Sequence, residues 1–455
     1  MLTLEPGRWL AAGGLLAGYA GLCWHCLRAA RSRVRPARQT TVGTVLLAYA
    51  SQSGQAQELA RQAAADLSEA GLPTICLPLA RIDLALLQAS RQALFVVSTY
   101  GEGDAPDNAA VFEDRYLNSP ADLSALDYGL LALGDSYYAQ FCAFGRRLDA
   151  WLQRSGARPV FERIEVDRMA PVALARWQHC LASFGGLSAA KTSAALDAPL
   201  QHWCLCSSRL LNAGSAGWPV YQVELQAVDG DGAPRPLPEW EPGDLLDLFP
   251  PGEGARPRTY TIASLPASGV VQLLVREVRG DDGRPGCMSA LLGSAAQIGM
   301  RFAGRLRANP GFRLGENAAR PLILIGNGTG LAGLLAHLRW RAQRGKRRNW
   351  LIFGERQAAF DRLCGEELDD LAARGLLAHC DRVFSRDPPA GEYVQHRLER
   401  AAESLREWVA GGAAIYVCGN AVGMGAAVHE TLGRLLGTDG LSRLAAAGRY
   451  RRDIY

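Results

Sequence analysis

Two stretches of this chain run from an unbroken apolar segment into a turn of glycines and hydroxyls and then into a helix. One is residues 44–50 followed by Ser51-Gln52-Ser53-Gly54-Gln55-Ala56; the other is Pro321-Leu-Ile-Leu-Ile-Gly-Asn-Gly-Thr-Gly330. An apolar run of this kind suits a strand covered on both faces, so each stretch predicts the start of a parallel α/β unit. After the first, strand-like runs at 74–77, 93–99, 128–133 and 159–164 alternate with helical stretches such as 144–154. That pattern predicts a doubly wound parallel sheet, with ligands at the carboxyl ends of its strands. At 455 residues the chain exceeds a single core and suggests about three units.

Three loops fall at those carboxyl ends: 51–56, Ser98-Thr-Tyr-Gly-Glu-Gly-Asp-Ala-Pro-Asp-Asn108 and Leu133-Gly-Asp-Ser-Tyr-Tyr-Ala-Gln-Phe-Cys142. Hydroxyls and free N–H groups at a helix start form an anion site, or simply a capped helix. The 51–56 loop has no lysine, which argues against a nucleoside triphosphatase. Further on, Arg258-Thr-Tyr-Thr-Ile-Ala-Ser264 reads as a strand with two different faces. Arg258 can neutralise a pyrophosphate, Tyr260 offers a flat face to a flavin ring, and the Thr261 hydroxyl can reach a ring nitrogen. An ordinary barrel strand fits the same residues. Gly286-Cys287-Met288-Ser289 then leads into a short helix, and Gly328-Thr-Gly-Leu-Ala-Gly333 matches a dinucleotide turn.

Together these stretches resemble the diflavin reductases, of the sulfite reductase flavoprotein and NADPH-haemoprotein reductase type, over residues 42–455. The resemblance implies a flavodoxin-like FMN domain at 42–185, a linker at 186–200, an antiparallel FAD barrel at 201–315 and an NADPH domain at 316–455, the last two forming a ferredoxin-NADP reductase module. It implies that Ser51, Gln52, Ser53, Gly54, Gln55 and Ala56 hold the FMN phosphate. Ser98, Thr99, Tyr100, Gly101, Glu102 and Gly103 would pass along the ring edge, and Tyr138 would stack on the ring within the loop of Leu133, Gly134, Asp135, Phe141 and Cys142. FAD falls to Arg258, Thr259, Tyr260, Thr261, Gly286, Cys287, Met288 and Ser289, and the nicotinamide dinucleotide to Gly328, Thr329 and Gly330. Thr261, Cys418, Asp453 and Tyr455 form the implied hydride-transfer set, with the aromatic Tyr455 also covering the FAD ring.

The dinucleotide-turn rule alone points to Glu355 as a ribose ligand favouring NAD. The stretch from Phe384 to Gln395 instead resembles the family's 2′-phosphate site through Ser385, Arg386, Tyr393 and Gln395, and favours NADPH. Gly391 or a neighbour stands where the family has a lysine. The chain departs from the family elsewhere too: only residues 249–257 join two barrel strands where a helical connecting domain is usual. The implied activity carries electrons from NADPH to FAD to FMN and on to a one-electron acceptor: a sulfite reductase haemoprotein or other haem protein, with a ferric chelate or a quinone as alternatives. A non-catalytic shuttle subunit is the alternative outside enzymology.

Charge and the amino terminus complete the reading. The net charge of +4 is uneven: residues 42–185 carry 11 Arg against 16 acids, with basic neighbours on both sides. Asp104, Asp107, Glu113, Asp114 and Asp122 therefore suggest a negative docking surface or a solvated face. No nucleic-acid partner and no metal are expected, since the 11 Cys form no paired C-x-x-C sets. Residues 9–27 carry no acid or base except His25, and five arginines follow by residue 38. This predicts a single-pass anchor in the inner membrane with the catalytic domains in the cytoplasm.

Overall fold

The computed structural model describes residues 43–52, 54–101, 103–136, 138–185, 200–252, 257–280, 283–388 and 391–455. The first unit is a parallel sheet built from β1 (Val45–Ala50), β2 (Thr74–Pro78), β3 (Gln92–Ser98), β4 (Asp127–Gly134), β5 (Arg158–Pro159) and β6 (Ile164–Asp167). Its order is β2-β1-β3-β4-β5, with β6 also pairing with β4. The crevice between β1 and β3 is thus a topological switch point, where ligands of such sheets bind. The helix Gln55–Glu69 buries Ala56, Leu59, Ala60, Ala63 and Leu67 against this sheet, a stripe of helical period. It ends where Gly71, at φ 85°, lets its own N–H reach Ser68 O and the Leu72 N–H reach Leu67 O.

The expected strand at 159–164 is broken into β5 and β6. Phe161 turns inward, edge-on to Trp177 at 5.9 Å, and occupies the space a side chain at Gly129 would need. That inward turn takes the intervening residues off the ladder.

A six-stranded antiparallel barrel follows: β7 (Gln201–Leu210), β8 (Val220–Val228), β9 (Leu245–Phe249), β10 (Arg258–Thr261), β11 (Val271–Arg276) and β12 (Arg301–Arg307). The order is β10-β9-β12-β7-β8-β11, and an Ile262–Leu273 bridge closes it. Trp203, Leu246, Leu248, Ile262 and Phe302 fill its interior. β9 starts only at Leu245, because Pro242 lacks an N–H and Gly243 turns at φ 100°.

The third sheet comprises β13 (Leu322–Asn327), β14 (Asn349–Glu355), β15 (His379–Phe384), β16 (Ala414–Gly419) and β17 (Tyr450–Ile454), all parallel in the order β15-β14-β13-β16-β17. One buried cluster joins Val220, Ala263, Leu274 and Phe312 of the barrel side to Leu324, Leu334, Leu351 and Tyr416 of this sheet. Each fully buried leucine there contributes about 1.5–3 kcal/mol relative to exposure, so barrel and third sheet are held as one module.

The inner-membrane localisation expected above is corrected. Among the described residues no helix is long and apolar enough to cross a membrane. Helices such as Gln55–Glu69 and Pro171–Gly185 have 15 residues, against the about 20 apolar residues a span requires. Residues 9–27 lie outside the described residues.

Candidate active site

The three loops at the carboxyl ends of β1, β3 and β4 converge. Gly54, at φ 82°, turns the chain into the helix, and Ser51 N–H donates to Asn108 Oδ1 at 3.0 Å. The Ser51 hydroxyl is buried and has no hydrogen-bond partner among the described residues. A phosphate oxygen at this helix start would satisfy it, so the loop fits the group expected there. Ala56 is fully buried in the core and has only its backbone N–H to offer. Gln52 turns its side chain toward Asp107 and Arg452 instead of into the loop. Ser53 and Glu102 lie outside the described residues.

In the second loop, Ser98 Oγ donates to Ala50 O at 3.2 Å and Thr99 Oγ1 accepts from Phe144 N–H at 3.2 Å. Both hydroxyls tie the loop to its neighbours. Tyr100 is buried, its hydroxyl without a partner among the described residues, and burial pushes its pKa up against the pull of Arg452. Gly101 and Gly103 adopt φ of 50° and 111°, and a Cβ on Gly103 would come within 2.8 Å of Gln140 in the third loop. In that third loop Leu133 is buried and Tyr138 is half-buried, its N–H bonded to Asp135 O. Gly134 leaves room for Phe141 and Cys142; a Cβ there would sit 2.8 Å from Cys142 Sγ. Burial pushes the Cys142 thiol up to about 12, and Sγ donates to Ala132 O, so this cysteine is a packing residue.

On the barrel, Arg258, Thr259, Tyr260 and Thr261 line a cavity of about 380 Å³ together with Gly286, Cys287, Met288 and Ser289, Thr329 and Tyr455. Their roles divide. Arg258 is exposed, while Thr259 Oγ1 is engaged by Asp247 at 2.6 Å. Met288 buries its side chain in the barrel core, and Ser289 Oγ donates back to Gly286 O. Arg276 reaches the same cavity with its Nε buried and, among the described residues, without a partner, which fits an anionic occupant.

Thr261 and Asp453, 192 residues apart, meet where the barrel abuts the third sheet: Thr261 Oγ1 donates to Asp453 Oδ2 at 2.9 Å. Cys418 Sγ lies 3.8 Å from the same oxygen. Strand pairing sets Cys418 opposite Asp453, so the parallel register of β16 and β17 positions this pair. Burial raises the Asp453 pKa, opposed by the Thr261 hydrogen bond. Burial, and then Asp453, hold the Cys418 thiol well above its ordinary value, so it stays protonated. Tyr455 is half-exposed at the cavity mouth, its hydroxyl 3.2 Å from Thr329 Oγ1. Beneath it, Gly328 turns at φ 55°, and a Cβ on Gly330 would lie 2.2 Å from Cys418 O. Only glycine permits that approach.

At the far end, Ser385 N–H bonds to Glu355 O and Arg386 N–H to Arg356 O. Arg386 and Tyr393 are exposed, with Gln395 in the first turn of the helix Val394–Arg400. A Cβ on Gly391 would lie 1.9 Å from Ser385 O, so the tight loop excludes the lysine the resemblance led us to look for near there. The Glu355 carboxylate forms an ion pair with Arg276 at 3.0 Å, and its side chain is 5% exposed. It is therefore committed to the barrel and not presented to a ribose.

Comparisons with known proteins agree with this architecture. A flavodoxin family model matches residues 47–176, and an oxidoreductase NAD-binding domain model matches residues 324–430. The chain thus joins a flavodoxin domain to an oxidoreductase NAD-binding domain, a pairing consistent with the diflavin reductases. Among its relatives is the sulfite reductase (NADPH) flavoprotein alpha-component of Vibrio cholerae serotype O1, 25% identical over 91% of this chain and 88% of that protein. The proteins of the same name from Neisseria meningitidis serogroup A and Bacillus subtilis are both 26% identical, over 99% and 90% of this chain and 96% and 89% of theirs. The two matched domains are those of a flavin- and nicotinamide-dependent oxidoreductase. Alignments of 542 and 585 positions for a 455-residue chain agree with its lack of a connecting insert.

Sequence reasoning passed over Arg276, Asn309 and Arg452. Each is a lone residue without a motif, one of 47 arginines in two cases, and only the fold brings it to a site. Asn309 is 1% exposed with neither side-chain polar atom bonded among the described residues, beside the 51–56 loop.

Proposed function

We propose that this chain is a diflavin reductase that passes electrons from NADPH, through its reductase module and flavodoxin-like domain, to a haem protein of the sulfite reductase type. The observation that supports this reading most directly is the buried Thr261–Asp453–Cys418 cluster, whose Thr261 lines the barrel cavity. The bound flavins supply the conversion between two-electron and one-electron chemistry. Residues 42–185, 201–315 and 316–455 are the FMN, FAD and NADPH domains in this reading, with 186–200 as linker.

The chain's own residues have separable tasks. Asp453 holds the Thr261 hydroxyl and Cys418 thiol on one carboxylate oxygen, so both keep a fixed orientation, Thr261 at the cavity wall and Cys418 buried behind it. Tyr455 closes the mouth and excludes water, and its half-exposed side chain lets it swing aside without disturbing the core. Arg258 and Arg276 supply positive charge for a pyrophosphate. Ser51 and the N–H groups of the following turn hold a phosphate, while Tyr100 and Tyr138 shield the ring site.

Arg386 binds the 2′-phosphate. Arg386→Ala raises the KM for NADPH about tenfold or more beyond any change for NADH, because a charge-assisted contact is lost to one nucleotide alone. Steady-state kinetics with both nucleotides read this, and equal effects would remove Arg386 from the site.

The acceptor is tested by mixing the purified chain with NADPH and a sulfite reductase haemoprotein, with cytochrome c in a parallel reaction. The reading expects haem reduction in both, faster with the haemoprotein, and one FAD and one FMN on extraction. Reduction of cytochrome c alone would exclude the sulfite reductase assignment, and a single flavin species would exclude the relay.

A further inference from the structure

β17 carries two adjacent residues to two different places. Strand alternation directs Asp453 toward Thr261 and Cys418, and Arg452 toward the flavodoxin-like sheet. There the Arg452 guanidinium pairs with Asp107 Oδ1, through Nε at 2.7 Å and through Nη2 as well. The two side chains are 9% and 16% exposed. Gln52 completes the node: its Nε2 donates to Asp107 Oδ2 at 3.0 Å and to the Arg452 carbonyl at 2.7 Å, and its Oε1 accepts from Asp107 N–H at 3.0 Å. The guanidinium also lies 5.1 Å from the centre of the Tyr100 ring and 5.6 Å from that of Tyr450. Burial disfavours the cation, and Asp107 with the neighbouring tyrosines outweighs that cost, so the arginine holds its proton firmly.

A second contact lies beside this one. A Cβ on Gly54 would come within 3.2 Å of Ala308 O and 3.3 Å of Pro310 Cδ, and one on Gly311 within 2.8 Å of Gln52 O. The segment leaving β12 thus packs directly on the 51–56 loop. Two of the three loops of the flavodoxin-like sheet are therefore seated on the module that holds the hydride-transfer cluster.

We propose that Arg452 is a positioning residue for electron transfer between the two flavins: the Arg452–Asp107–Gln52 node fixes the flavodoxin-like domain against β17, one residue from Asp453. The pair is close, forked and shielded, so it fixes orientation as well as distance, which an exposed ion pair does poorly. The chain connection between the first sheet and the barrel runs through residues 186–200. The proposal rests on reading the 51–56 and 98–103 loops as the FMN site, and its test separates the two.

The full flavin-loaded chain is compared with Arg452→Ala, Arg452→Lys and the reversed pair Asp107→Arg/Arg452→Asp. Small-angle X-ray scattering measures the radius of gyration, and anaerobic stopped-flow mixing with NADPH resolves reduction of the reductase module from onward transfer to the flavodoxin-like domain. Arg452→Ala is expected to enlarge the radius of gyration and to slow onward transfer about tenfold or more, with first-step reduction and flavin content within about twofold of wild type. Lysine, which keeps charge without the fork, is expected to fall between, and the reversed pair to recover part of the loss. Unchanged scattering and unchanged onward transfer in Arg452→Ala would overturn the proposal. So would loss of first-step reduction in both the alanine and lysine variants, which would make Arg452 a residue of the fold alone. Wild-type protein lacking FMN would refute the loop assignment, while the scattering comparison would still decide whether the node holds the domains together.

Discussion

Asp453→Asn slows reduction of the enzyme by NADPH by about 10²-fold, with FAD and FMN contents unchanged. The size follows from what the carboxylate holds. Thr261 comes from the barrel and Cys418 from the third sheet, and Asp453 Oδ2 is the acceptor they share, at 2.9 Å and 3.8 Å. An amide in its place keeps the shape and removes the charge, so both groups lose their fixed orientation at the reacting face. Stopped-flow absorbance of the flavin-loaded protein measures this, and a change of less than about threefold would remove Asp453 from the hydride-transfer cluster.

The same variant carries a pH signature. Burial raises the Asp453 pKa above its ordinary value. A carboxyl raised in the folded state favours folding fully at pH below its ordinary pKa, and this contribution is lost as pH rises through the raised value. Asparagine does not titrate. Its thermal stability relative to wild type therefore increases as pH rises from about 4 to about 8, and a relative stability that fell over that range would contradict a raised pKa.

Gly330→Val disrupts the nicotinamide turn, destabilising the module by about 3 kcal/mol and weakening NADPH binding. The atoms a Cβ would meet are backbone: Cys418 O at 2.2 Å, Cys418 C at 2.5 Å and Gly419 Cα at 2.6 Å. None can rotate away, so β13 and β16 would have to separate. Gly433→Ala is the matched control, since nothing lies within 4 Å of a Cβ there and the residue sits inside the helix Ala426–Leu436. It is expected to gain up to about 1 kcal/mol from reduced chain entropy. Melting temperatures and nucleotide titration of the two variants measure the contrast; equal behaviour would show that close approach at Gly330 is not required.

The negative surface anticipated around Asp104 to Asp122 divides on inspection of its members. Asp107 is turned inward to Arg452, and Glu113 pairs with Arg147 at 2.6 Å. Asp104 and Asp114 line a cleft of about 520 Å³ shared with His429 and Arg434 of the third unit. Part of that charge thus serves the chain's own domain contact. Counting acids in sequence could not separate these cases, because pairing depends on which distant cation the fold brings near.

Periodicity and local chemistry determined the elements. Unbroken apolar runs made β1, β3 and β13 legible as covered parallel strands, and glycines before helices marked the turns at Gly54 and Gly328, because those signals reside within a few consecutive residues. Tertiary structure alone decided what lies hundreds of positions apart: Thr261 beside Asp453, Glu355 withheld from the nucleotide by Arg276, and Arg452 seated on Asp107. Hydrogen bonds and ion pairs reach only a few ångströms, and which arginine of many falls within that reach is set by strand register and domain packing, of which the sequence around each partner bears no mark.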